Sequence, residues 1–352
     1  MRSQASHRLG GLHIGLVNNM PDAALAATER QFRRLLAAAA GGLPVRVTLF
    51  ALPDIPRSDE GKRRINRLYS SIDRLWEDRL DGLIVTGTEP RSPNLEEEPY
   101  WASLTRLVDW AEYNTASAIW SCLAAHAAVL HLDGIRRQRH DQRLFGVFES
   151  VKASDHPLID GTSAHLHMPH SRWNGVSELD LARCGYRVLT RSERAGAELF
   201  VKRGRSLFVF FQGHPEYEAR TLLLEYRRDI RRYLRAQRGA NSAQPYGNGT
   251  PQTEAAQRAS FCAGSAEGQT AVFPSTPFAY FGANCSALLQ RIYCSDELLA
   301  SFPFASLSAK VRNTWRRASV TIYRNWLCYL ASQKDQRLEP GCQAGLALAE
   351  RA

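Results

Sequence analysis

An apolar run, Ala118-Ile119-Trp120-Ser121, ends on Cys122 and is followed without a spacer by Leu123-Ala124-Ala125-His126-Ala127-Ala128-Val129-Leu130. A buried strand running straight into a helix forces a sharp turn at the cysteine, and such turns belong to sheets whose strands are covered by helices. Unpaired N–H groups in the first helical turn, together with the helix dipole, favour a thiolate there. A second apolar run, Ser206-Leu207-Phe208-Val209-Phe210-Phe211, ends in Gln212-Gly213-His214-Pro215-Glu216. A histidine and a glutamate two residues apart at a strand's end supply a base for a thiol and a carboxylate to orient that base. Taken singly, Cys122 is an ordinary small core residue and His214 an ordinary turn residue. Taken together, both lie where parallel sheets place chemistry, and Cys122, His214 and Glu216 form a candidate triad.

The rest of the pattern agrees with an α/β fold, a mostly parallel sheet flanked by helices. Residues 12–17, 45–52 and 83–85 read as strands, with a helix over 28–40 opened by a Thr28 cap and another over 62–77. Residues 186–201 read as an antiparallel hairpin on the sheet's flank, and 217–237 as an amphipathic helix with Leu222, Leu223, Tyr226, Ile230 and Tyr233 on one face. The expected division is a catalytic domain over 1–238, a disordered polar insertion over 239–274, a C-terminal helical extension over 275–332 packing on the catalytic domain, and a flexible tail over 333–352.

Composition removes several classes of function. No apolar run approaches the ~20 residues that cross a bilayer, and the first residues lack the apolar stretch of a secretory signal, so a cytoplasmic protein with no membrane partner is expected. The seven cysteines are odd in number and scattered, without a CxxC pair or a cluster at zinc spacing, which fits free thiols and no metal. The formal charge of +10 comes from arginines spread through helices, a solvated basic face or an attraction to an anionic ligand; no nucleic-acid-binding motif accompanies it.

Further stretches carry a family resemblance. Gly15-Leu16-Val17-Asn18-Asn19-Met20-Pro21, Thr28-Glu29-Arg30-Gln31-Phe32, Asp81-Gly82-Leu83-Ile84-Val85-Thr86-Gly87, Pro169-His170-Ser171-Arg172, Gly213-His214-Pro215-Glu216-Tyr217 and Tyr323-Arg324-Asn325-Trp326-Leu327 occur in order. The chain thereby resembles the homoserine O-acyltransferases of the succinyltransferase type, which implies a class I glutamine-amidotransferase-like fold. The resemblance implies homoserine and succinyl-CoA as substrates, no cofactor beyond acyl-CoA as co-substrate, and a homodimer.

The resemblance also implies roles for single residues. Arg228 and Ser171 fall on substrate-binding positions, and Arg143 falls on one that is normally lysine. Arg91 stands where the family separates succinyl users, with glycine, from acetyl users, with glutamate. For the oxyanion, the N–H of Leu123 and the turn containing Thr88 are the candidate donors. Cys122 would carry the acyl group as a thioester between two half-reactions, and ping-pong kinetics follow. The alternatives are an acetyl donor or a serine acceptor, then a glutaminase or amidase using the same triad, and last a catalytically silent basic binding protein.

Overall fold

The computed structural model describes residues 11–242, 274–281 and 302–338. A nine-stranded sheet runs in the order β2-β1-β3-β4-β9-β8-β7-β5-β6. Its strands are β1 (Leu12–Val17), β2 (Val45–Phe50), β3 (Gly82–Val85), β4 (Ser117–Ser121), β5 (Gln138–Lys152), β6 (His165–Gly175), β7 (Arg187–Ser192), β8 (Gly196–Arg203) and β9 (Leu207–Phe211). The β1, β2, β3, β4 and β9 strands pair in parallel, and β8, β7 and β5 continue from β9 in antiparallel fashion.

Both faces of the parallel half are covered, as its nearly continuous apolar strands require. Along β4, Ala118 and Trp120 join one core while Ile119 joins the other; along β9, Phe208 and Phe210 oppose Val209 and Phe211 in the same way. Helices α4 (Trp101–Asn114) and α5 (Leu123–Asp133) cover the first face. The second face is covered by α1 (Asp22–Ala40) and the C-terminal helix Arg316–Leu338, through Phe32, Leu35, Tyr323, Trp326 and Leu330. A side chain at Gly82 would strike Leu330 Cδ1 at 2.6 Å and Trp326 Cζ2 at 2.9 Å, so the bare backbone there lets the last helix lie flat on β3.

Four local readings change. Helix α1 starts at Asp22 after Pro21, and Thr28 is a buried residue inside it rather than its cap. The helix expected over 62–77 is two, α2 (Asp59–Leu68) and α3 (Ile72–Glu77), capped by Ser58 and Ser71. Between them Tyr69 leaves the helix so that its hydroxyl can donate to Glu29 Oε1 at 2.7 Å and accept from Asn18 Nδ2 at 3.0 Å. Strands β5 and β6 carry too many charged and polar residues to read as strands, since β5 is mostly exposed through its first half. The C-terminal helix continues to Leu338, into the stretch read as a tail.

The described residues form two compact units. One takes the chain up to Leu144, Phe148–Tyr217 and the residues from Asn313; the other takes Phe145–Val147 and the described part of 218–312. The second unit contains the helix Thr221–Ser242, where the amphipathic pattern places it, and the short helix Phe304–Lys310. Within it the Tyr280 hydroxyl donates to Ala219 O and accepts from Leu223 N at 3.3 Å. The expected insertion, apart from residues 239–242 and 274, and the helix expected at 285–290 lie outside the described residues.

Candidate active site

Cys122 follows β4 with φ 53° and ψ −115°, a conformation that costs a non-glycine residue about 1–3 kcal/mol and projects its side chain out of the turn. Its N–H donates to Phe211 O at 2.7 Å, which fastens the elbow to the last residue of β9. Because β4 and β9 are parallel neighbours in register, Ser121 facing Phe211, both carboxyl ends deliver their following residues to one place. His214 arrives there three residues after β9, its N–H donating to Pro169 O at 2.9 Å.

The three candidate triad residues are brought together. His214 Nδ1 meets Glu216 Oε1 at 2.9 Å, and the same imidazole hydrogen-bonds Cys122. Both His214 and Glu216 are buried. Burial alone would push the imidazole toward its neutral form, but the Glu216 carboxylate and Cys122 overcome it and hold His214 well above its ordinary value. With Nδ1 engaged by the carboxylate, Nε2 is the atom left to face sulfur. Glycine is required at the turn before His214, since a Cβ at Gly213 would lie 2.6 Å from Met168 Cγ and 2.8 Å from Pro169 O.

Beside the elbow, Gly87 follows β3 and lies against the first residue of α5: a Cβ there would stand 2.9 Å from Leu123 N. Thr86, Gly87 and Thr88 therefore run alongside the N–H expected to meet an oxyanion. This turn is held by Asn19, whose N–H donates to Thr86 Oγ1 at 2.9 Å, whose Nδ2 donates to Thr86 O at 3.3 Å, and whose Oδ1 accepts from Leu52 N at 3.1 Å.

Pro169-His170-Ser171-Arg172 lies in β6 and does more than supply one hydroxyl. Arg143 Nη2 donates to Ser171 Oγ at 2.7 Å, so these two expected substrate positions are adjacent. The flanking His170 and Arg172 point the other way, into the protein. Arg172 Nε donates to His170 Nδ1 at 3.0 Å, which leaves the Nε2–H of His170 for Glu198 Oε2. Glu198 Oε1 accepts from Gly213 N at 3.1 Å. A buried chain of charge thus supports the turn that carries His214. On the other side, His126 Nε2 meets Gln212 Oε1 at 3.0 Å, and burial, with Arg172 next, pushes His126 down to about 3 and keeps it neutral.

Arg228 lies in the second unit, exposed on the helix Thr221–Ser242, with Nε donating to Asp229 Oδ1 at 2.9 Å. Arg91 is exposed in the loop 89–99, and its backbone N–H, not its guanidinium, is bound by Glu98. Glu98, Arg137 and Glu198 escape a reading by motif. For His170 and Arg172 the family motif itself was the available signal; for Glu98 and Glu198 nothing in the local sequence distinguishes a buried carboxylate from a solvated one. Among the described residues Cys122, Cys184 and Cys328 are free thiols, no group of side chains has the makings of a metal site, and no helix is long and apolar enough to cross a membrane.

The model of one family, homoserine O-succinyltransferase, matches residues 2–337. The homoserine O-succinyltransferase of Rhodopseudomonas palustris is 43% identical over 328 residues, covering 92% of this chain and 89% of that protein. That of Bradyrhizobium japonicum is 43% identical over 327 residues, covering 91% and 90%. Among solved structures, a glutamine amidotransferase from Thermotoga maritima overlays with a TM-score of 0.42 at 16% identity, over 67% of this chain and 87% of that one.

Proposed function

Because the chain belongs to the homoserine O-succinyltransferase family, an acyltransferase family, we propose that it moves a succinyl group from succinyl-CoA to the hydroxyl of homoserine through Cys122. The observation that carries this reading is His214, hydrogen-bonded to Cys122 on one side and to Glu216 on the other. An alcohol is a weak nucleophile near neutral pH, and a covalent intermediate divides the transfer into two easier steps.

In the first step His214 takes the thiol proton and sulfur attacks the thioester carbonyl. The tetrahedral oxyanion is received by Leu123 N–H and by the turn at Thr88. It collapses to expel the coenzyme A thiolate, which leaves with the proton from His214. In the second step His214 takes the homoserine hydroxyl proton, the oxygen attacks the acyl-cysteine carbonyl, and collapse returns Cys122 with the proton restored to it. Glu216 holds the imidazole in its productive tautomer and stabilises the cation in both passages. Arg143, Ser171 and Arg228 are the residues proposed for homoserine, whose carboxylate needs a cation. Arg91, in the loop 89–99, is proposed to favour a donor that carries a negative charge. A homodimer is the proposed assembly.

The test is to mix the protein with succinyl-CoA carrying labelled succinate, denature it, and treat it with hydroxylamine. Label released from the peptide containing Cys122, and absent from Cys122→Ala, is the expected result. An enzyme that instead releases ammonia from glutamine and takes no label is an amidase.

A further inference from the structure

Arg137 lies beyond the end of α5, and its guanidinium reaches the loop that carries Arg91. Its Nη2 donates to Ser92 O at 3.1 Å and to Pro93 O at 2.8 Å. Its Nε and Nη1 have no acceptor among the described residues, and the side chain is half-buried. From within the loop Glu98, only 3% exposed, accepts Arg91 N at 2.5 Å and Ser92 N at 2.7 Å on one oxygen. Tyr100, equally buried, lies beside that carboxylate; its phenol is raised by burial and then by Glu98.

The nucleophile belongs to the same electrostatic neighbourhood. Burial lowers Arg137, and the charges that oppose this are those of Tyr100, Glu98 and Cys122. Arg172 is another cation in reach of Cys122, but its donors are already taken by His170 and His140 and by the carbonyls of Asn174 and Ala195. Arg137 is different, because it spends one nitrogen on the loop and keeps two.

We propose that Arg137 receives the terminal carboxylate of the acyl group held on Cys122, making this corner a site for dicarboxylic acyl chains. The proposal rests on the acyl-transfer reading given above. Arg91, exposed, supplies charge at the rim; Arg137, half-buried, supplies the directed donors. A half-buried guanidinium with open donors binds a carboxylate by charge-assisted bonds and gains nothing from a methyl group in its place.

The test follows acyl-enzyme formation by intact-protein mass after rapid mixing with succinyl-CoA or acetyl-CoA, for wild type, Arg137→Gln and Arg137→Lys. Arg137→Gln is expected to slow acylation by succinyl-CoA at least about tenfold while leaving acetyl-CoA within about twofold, and Arg137→Lys to recover part of the loss. Equal losses with both donors would make Arg137 only a staple for the loop and overturn the proposal. Thermal melting of each variant, run in parallel, shows whether such an equal loss comes from a loosened loop. A wild-type protein that takes no acyl group from either donor would overturn the proposal together with the acyl-transfer reading, a failure distinct from equal losses in the variant.

Discussion

The imidazole of His214 lies flat against the ring of Tyr217, with centroids 4.3 Å apart and planes 16° from parallel. The edge of the imidazole is held by Glu216 and Cys122, so Tyr217 fixes the one remaining rotation, that of the ring plane. An aromatic face also steadies the cation that forms when His214 takes a proton, worth about 0.5–2 kcal/mol. Tyr217→Phe is expected to keep most of the turnover. Tyr217→Leu should lower kcat by roughly 3- to 30-fold with KM little changed, as steady-state assays at varied homoserine would show. A rise in KM with kcat intact would mean that Tyr217 serves binding instead.

Glu216→Gln keeps the shape of the triad but permits the wrong tautomer of His214. Turnover is expected to fall by roughly 10³–10⁴, and Cys122→Ala should fall at least as far, while both proteins keep the wild-type circular dichroism spectrum. The double variant should be no worse than the poorer single one. Independent, additive losses would argue against the three residues acting as a unit.

Gly87 offers a test of the oxyanion site that touches no triad residue. An alanine there brings a methyl group to 2.9 Å from Leu123 N, where the oxyanion would sit or the turn would have to move. Gly87→Ala should therefore lose on the order of 100-fold in kcat, the usual cost of one oxyanion donor. Turnover close to wild type would place the oxyanion elsewhere.

His126 gives the stability a pH dependence of known sign. Folded, it is held at about 3 against an ordinary 6.5, so below 6.5 only the unfolded chain binds its proton. Its contribution is complete above pH 6.5 and declines as the pH falls from there toward 3. His214 is raised and acts in the opposite sense, its contribution present below 6.5 and lost as the pH rises through the higher folded value. Urea midpoints at about pH 7.5 and about pH 5 should differ less in His126→Gln than in wild type. An unchanged difference would show that His126 is protonated, or solvated, in the folded protein.

The clustering of Cys122, His214 and Glu216 was legible because these residues follow apolar strands directly, so sequence order and spatial order coincide: Cys122 after β4, His214 after β9. The parallel half of the sheet was legible for the same reason, its strands being buried on both faces. Strands β5 and β6 were not, since residues such as Arg139, Asp141 and Gln142 give no apolar alternation to read. Nor could spacing distinguish the side chains of β6, where Ser171 meets Arg143 while neighbouring His170 and Arg172 are buried under the site. Arg91 was singled out by position in a motif, yet Glu98, seven residues on, is what holds its backbone. A bond of that kind depends on how the loop 89–99 closes, and Arg137, which reaches two of the loop's carbonyls, comes from a different part of the chain.

The helix Arg316–Leu338 fills the same core as β1 and β3, with Trp326 and Leu330 against Gly82. During synthesis, the first strand therefore leaves the ribosome long before its covering does. At about 5–20 residues per second the interval is on the order of half a minute. Through that interval Leu12, Ile14, Leu16 and Ile84 lack part of their partner surface. The core that holds β1 and β3 is thus completed only when residues 316–338 have been made, and a chain stopped before residue 330 is expected to expose Leu12, Ile14 and Ile84.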